Sequence, residues 1–116
     1  MESLIPILYS SDMQKTFDYY TNQLGFEKKW DWGDPPDFGA VGRDNVEIFF
    51  CLRNQGNPGS WICISLDNVD EYYEFIKANG ANIMSPPGDK EWLMREMLVA
   101  DPDGNIIRFG HNTDCD

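Results

Sequence analysis

The chain repeats itself. Ser11-Asp12-Met13, followed by Phe17 and Tyr20, returns as Asp67-Asn68-Val69, followed by Tyr73 and Ile76, and each copy comes after a strand-like apolar run. A unit that cannot bury its hydrophobic face alone does so against its duplicate, so the repeat predicts two βα modules with further strands behind each helix. It also places any cleft between or beside the two halves. With 116 residues and 41% hydrophobic content the whole chain reads as a single α+β domain, with module one over about 1–53, a linker at 54–59 and module two over about 60–111.

Periodicity places the elements. Leu4, Ile5, Ile7, Leu8 and Tyr9 make a mostly apolar strand over 4–10 that Pro6 confines to an edge or an irregular position. Ser11 is set to cap the first helix, with Gln14 returning the hydrogen bond, and Met13, Phe17, Tyr20 and Leu24 form its buried face before Gly25 ends it. Strands follow at 26–32, 38–42 and 46–52. The second half restarts with a strand at 61–66, and Asn68 with Glu71 caps a helix that buries Val69, Tyr72, Tyr73 and Ile76 and stops at Gly80. A short strand at 81–84, a Ser85-Pro86-Pro87-Gly88 loop, and strands at 94–100 and 105–111 around the Asp101-Pro102-Asp103-Gly104 turn complete a second βαβββ set. Residues 112–116 are polar and expected to fray.

Alternation along the strands separates two faces. Ile62, Ile64 and Leu66 form the apolar set that belongs under a helix, which leaves Trp61, Cys63 and Ser65 on the opposite, concave side with Ile5, Ile7 and Tyr9. The same parity turns Ile107, Phe109, Ile48 and Phe50 to the core, and Ile106, Arg108, Gly110, Glu47 and Phe49 away from it. A single bulge would invert any one of these assignments.

Composition removes several functions. The net charge of −11, from 20 acidic and 9 basic residues, repels phosphate backbones and anionic lipid, so neither nucleic acid nor membrane is an expected partner. No apolar run approaches the roughly 20 residues a bilayer span needs, and the start lacks a secretory signal, so a cytoplasmic protein is expected. Cys51, Cys63 and Cys115 form neither a disulfide framework nor a zinc knuckle, and read as small buried hydrophobes plus one tail thiol. His111 is the only histidine and reads as structural or exposed; no nucleophile and base pair is evident from the spacing. The one Gly-rich stretch lacks the context of a nucleotide loop.

The opening IPILYSSDMQKTFDYYTNQLGFE, the restart LDNVDEYYEFIKANGA and above all DPDGNIIRFG resemble the vicinal oxygen chelate superfamily, which includes glyoxalase I, extradiol dioxygenases and the fosfomycin- and bleomycin-resistance proteins. The resemblance covers nearly the whole chain. It implies two βαβββ modules forming a curved, partly open eight-stranded barrel. It also implies four metal-ligand positions, which here fall at Ile5, Trp61, Arg108 and close to Glu47. An alkyl chain, an indole and a guanidinium offer a cation no lone pair, so no metal cofactor is expected.

The bleomycin-resistance branch, whose members are similar in carrying an Arg after DPDGN, implies an antibiotic-resistance role: trapping an aromatic or cationic glycopeptide-type molecule unaltered, in the aromatic-lined cleft of a homodimer. On that resemblance the candidate ligand-binding residues are Trp30, Trp32, Phe38, Glu47, Phe49, Trp61 and Arg108, with Trp92 a further ring outside the core. Asp31, Asp34 and Asp37 are further acids that could draw a cationic tail. Trp30 and Trp32 fit equally as cross-strand packing or a dimer contact, and Arg108 as a salt bridge within the cleft or to a partner chain. The expectation is therefore a binding protein without catalytic residues. The alternatives are a metal-dependent lyase or dioxygenase of the glyoxalase type using Glu47, and a partner-binding module with a vestigial cleft.

Overall fold

The structure is a computed structural model and describes residues 1–113. Strands β1 (Ile7–Ser10), β2 (Glu27–Trp32), β3 (Phe38–Arg43) and β4 (Val46–Leu52) form one sheet in the order β1-β4-β3-β2. Strands β5 (Trp61–Ser65), β6 (Asn82–Lys90), β7 (Met94–Ala100) and β8 (Ile106–Asn112) form a second in the order β5-β8-β7-β6. In each sheet the first strand pairs parallel with the last and the other pairs are antiparallel, so the two halves repeat one topology. The sheets are not closed into a continuous barrel.

Helices α1 (Met13–Asp18) and α2 (Val69–Ala78) cover one face of the sheets. One apolar core joins the halves: Leu8, Phe17, Tyr20, Leu24, Val41, Ile48 and Phe50 meet Val69, Ile76, Met97, Val99, Ile107 and Phe109. Each fully enclosed aliphatic or aromatic side chain contributes roughly 1.5–3 kcal/mol. The parities of β4, β5 and β8 agree with the alternation in the sequence, with Ile48, Phe50, Ile107 and Phe109 buried and Trp61 and Cys63 exposed.

The first helix departs from expectation at both ends. Its cap is Asp12, whose carboxylate accepts from Lys15 N at 3.1 Å; the Ser11 N–H, which a capping box would give to Gln14, donates instead to the Asp103 carboxylate of the second module. Gln14 donates to Asp18 rather than back to a cap. Beyond Asp18 the coil widens into a π-helical turn, Tyr19–Gln23, closed by Leu24 N on Tyr19 O. The extra residue in that turn lets two consecutive tyrosines face inward. Tyr19 Oη donates to Ala100 O and accepts from Asn82 N, while Tyr20 Oη donates to Asp101 Oδ2 at 2.8 Å. In α2, Asn68 caps as expected by accepting from Glu71 N, and His111 Nδ1 accepts from Val69 N at 2.9 Å, which makes the lone histidine a structural tie between β8 and the helix.

Three boundaries are corrected. β1 begins at Ile7 rather than residue 4, since Pro6 has no N–H to donate and only its carbonyl joins the ladder, accepting from Phe49 N. Ser85-Pro86-Pro87-Gly88 is not a loop but the middle of β6, an edge strand whose register shifts on both sides of Ser85 accommodate residues that cannot hold a regular ladder. Of the polar tail, Asn112 closes β8 and Thr113 N donates to Leu93 O, whereas 114–116, with Cys115, lie outside the described residues.

The DPDGN turn is a structural knot. Asp101 accepts from Asp103 N and Asn105 N with one oxygen and from Tyr20 Oη and Asn105 Nδ2 with the other, and Gly104 supplies the left-handed φ of 77° that the reversal needs. Burial raises the Asp101 carboxyl above its ordinary range, against hydrogen bonds from Asn105 and Tyr20 that lower it. Asn105, fully enclosed, binds Ser60 N through Oδ1 and Tyr9 O through Nδ2, and so ties the second module to the first.

Candidate functional site

The sheet faces without helices carry every candidate residue. On the first sheet, register aligns Trp32 with Phe38, Trp30 with Ala40, Ala40 with Phe49 and Gly42 with Glu47, so all five candidates there share one face. A bulge decides this. Lys28 pairs with Val41 on the core side and places its ammonium 4.7 Å above the Phe17 ring; strict alternation would then turn Trp30 and Trp32 to the same side. The register shift between Lys28 and Trp30 inserts Lys29 unpaired and moves both indoles to the free face.

Trp30, Phe38 and Phe49 form a closed aromatic trio. Centroids lie 5.5 Å apart for Trp30 and Phe38, 5.0 Å for Trp30 and Phe49, and 5.6 Å for Phe38 and Phe49, the last two contacts edge-on. Such pairs add about 0.5–1.5 kcal/mol each beyond buried area, and Trp30 remains 39% exposed. Trp32, 75% exposed, extends the patch. Glu47 is half-buried and helps line a cleft of about 550 Å³ whose other wall includes Cys63 and Ser65 of β5. Asp31 is engaged by Lys28 at 2.6 Å, while Asp34 and Asp37 are exposed.

On the second sheet, Trp61 aligns with Ile106 and Cys63 with Arg108, which puts Trp61 and Arg108 on the free face together. Trp61 is 59% exposed. Cys63 is exposed as well, so it is not the buried small hydrophobe its residue type suggested; Cys51 is buried. No hydrogen bond, ion pair or ring contact given for the described residues joins the Trp30 trio to the Trp61 and Arg108 group; the 550 Å³ cleft has walls in both sheets but is lined by neither group.

Glu96 was missed by sequence reasoning. It lies on the same face as Arg108, 5% exposed, accepts from the Trp92 indole N–H at 3.2 Å and sits 3.8 Å from Arg108 Nε. Its place follows from parity, since Met97 and Val99 face the core, but the cross-strand match with Gly110 that makes room for it depends on register. A Cβ at position 110 would stand 2.9 Å from Glu96 Cγ.

Of the four positions that the family resemblance implies for a metal, those at Ile5, Trp61 and Arg108 present no lone pair, and the fourth falls close to Glu47. Among the described residues no group of three or more His, Cys, Asp or Glu is placed to hold a metal ion. A larger cleft of about 790 Å³ adjoins the 550 Å³ cleft, sharing Asn45, Val46, Ile64 and Ser65, and extends beside α2, where Arg43 lies 5.3 Å over Tyr72 and 5.5 Å over Phe75 and reaches Leu24 O and Gly25 O. These contacts fix Arg43 as the cap of the first helical segment. No helix is long and apolar enough to cross a membrane.

Comparison with known proteins agrees with this architecture. The chain is 28% identical to a bleomycin resistance protein of Geobacillus stearothermophilus, over 90% of this chain and 92% of that protein. Its fold superposes on the crystal structure of TioX from Micromonospora sp. ML1 with a TM-score of 0.85 at 19% identity, covering 97% of this chain and 99% of that one. It superposes on a bleomycin-binding protein complexed with bleomycin with a TM-score of 0.81 at 24% identity and the same coverage. The family model for the Glyoxalase/Bleomycin resistance protein/Dioxygenase superfamily matches residues 4–109, and with two βαβββ halves in the matching order the chain belongs to that superfamily.

Proposed function

We propose that this protein binds a bleomycin-type small molecule and releases it unchanged, in an aromatic-lined cleft that two copies of the chain complete. The observation that carries the reading is the Trp30, Phe38 and Phe49 trio, held on a sheet face that no helix covers. A flat heteroaromatic group stacks on such rings, and half-buried Glu47 supplies a counter-charge for a cationic tail. The relative named as a bleomycin resistance protein and the fold shared with a bleomycin-binding protein support the ligand class. Donor chemistry supports binding over catalysis, since one carboxylate among Ile5, Trp61 and Arg108 grips a cation weakly.

The dimer is argued from exposure. Ile7 at 40%, Trp32 at 75% and Trp61 at 59% lie on free sheet faces, and a second copy placed against them would bury this apolar surface and enclose the ligand. Titration calorimetry with metal-free bleomycin, on protein sized by sedimentation, tests both parts. Saturable binding to a dimer is expected, weakened when Phe49 is truncated. A monomer that binds neither bleomycin nor any member of an aromatic compound library would end the proposal.

A further inference from the structure

Among the described residues, Arg108 is incompletely satisfied. Its Nε is buried without a hydrogen-bond partner among the described residues, and its ion-pair partner, Glu96 Oε1, stands 3.8 Å away, beyond hydrogen-bond reach, while receiving the Trp92 indole N–H. Glu96 is held in a slot that Gly110 opens, so it does not follow the guanidinium outward. The Arg108 side chain keeps 41% of its surface exposed. With Nε enclosed, the reachable donors are the two terminal nitrogens, which together form the planar fork that a carboxylate takes bidentately. Trp61, one strand over and one register step away on the same face, offers a ring within reach of the same molecule.

We propose that Arg108 anchors a carboxylate of the ligand whose aromatic part rests on Trp61, so that the natural ligand is an aromatic acid rather than a purely cationic one. The inference rests on the aromatic-binding reading and narrows it. The chain's charge of −11 disfavours anions at long range, so the anchor acts by contact: it selects among molecules already in the cleft. A charge-assisted bidentate bond distinguishes acid from amide by about tenfold or more.

The test uses three probes of one ring system, 2-naphthoate, 2-naphthamide and 2-naphthylmethylammonium, titrated against the full chain with tryptophan fluorescence as the readout. Wild-type protein is expected to bind naphthoate at least about tenfold tighter than naphthamide. Arg108→Gln should abolish that preference while keeping the wild-type urea midpoint, which serves as the control for fold; Arg108→Lys, which keeps charge but loses the fork, should fall between. Equal affinity of all three probes, or preference for the ammonium, overturns the anchor and leaves the aromatic cleft standing. If Arg108→Gln weakens the dimer without altering the acid-to-amide ratio, the guanidinium pairs with a second copy and the anchor is again overturned. No binding of any probe would overturn anchor and cleft together.

Discussion

Asn105→Ala should cost this protein about 3 kcal/mol, a magnitude set by the partners it abandons. The side chain is fully enclosed and makes three hydrogen bonds, to Ser60 N, Tyr9 O and Asp101 Oδ2. The carbonyls of Pro6 and Ser10 accept from β4 and the Arg53 N–H that follows it, so that of Tyr9 points off the edge of the first sheet and Asn105 supplies its donor. Truncation strands Tyr9 O and Ser60 N, each part-buried, at about 1–1.5 kcal/mol apiece, and removes one of four bonds to a buried carboxylate for a similar loss. For a domain of this size the melting temperature should fall by roughly 10–15 °C. Asn105→Asp keeps an acceptor for Ser60 N but loses both donations and sets a second carboxylate against Asp101, so its loss should exceed that of Ala. Urea unfolding followed by circular dichroism measures both. A loss under about 1 kcal/mol for Ala, or a milder effect for Asp, would show that the turn does not tie the modules together as argued.

Further outcomes follow from the same contacts. Burial raises the Tyr20 and Tyr72 phenols above their ordinary range, so between pH 10 and those values the unfolded chain has lost protons that the native one retains. Stability should be intact on that account below pH 10 and fall above it by up to about 1.4 kcal/mol per pH unit for each phenol; a flat urea midpoint from pH 9 to 11 would contradict it. His111→Ala removes the acceptor for Val69 N at the start of α2 and should destabilise by about 1 kcal/mol, read by thermal unfolding. Phe49→Ala takes away the ring shared by Trp30 and Phe38, and calorimetry should show about tenfold weaker bleomycin binding, with no change speaking against the trio as the stacking surface. Elemental analysis of protein purified without chelator should find metal well below stoichiometry; one equivalent of nickel, zinc, iron or manganese would refute the donor argument.

Much of the plan is written in residue order. The repeated helix starts, the Met13, Phe17, Tyr20 and Leu24 face and the alternation in β4, β5 and β8 are local patterns, and local sterics and amphipathicity act on them directly. Pro86 and Pro87 misled because a proline pair usually marks a loop, and only the edge position of β6 makes it tolerable within a strand. Ser11 misled because its neighbour Asp12 takes the cap, while the Ser11 N–H that Gln14 was expected to receive goes to Asp103, 92 residues away.

The candidate site divides along the same line. The resemblance located the family's metal positions at Ile5, Trp61 and Arg108, and residue types alone then determined that these offer a cation no lone pair and that the strands between are rich in rings, because lone pairs and π-faces belong to side chains wherever they are placed. Tertiary structure decided which of those side chains share a face. The Lys29 bulge turned Trp30 to meet Phe49 and put Trp32 on the same face, and the pairing of β7 with β8 set buried Glu96 beside Arg108 through the space left at Gly110. Strand register arises from packing between distant segments, and a shift of one residue reverses every face it governs.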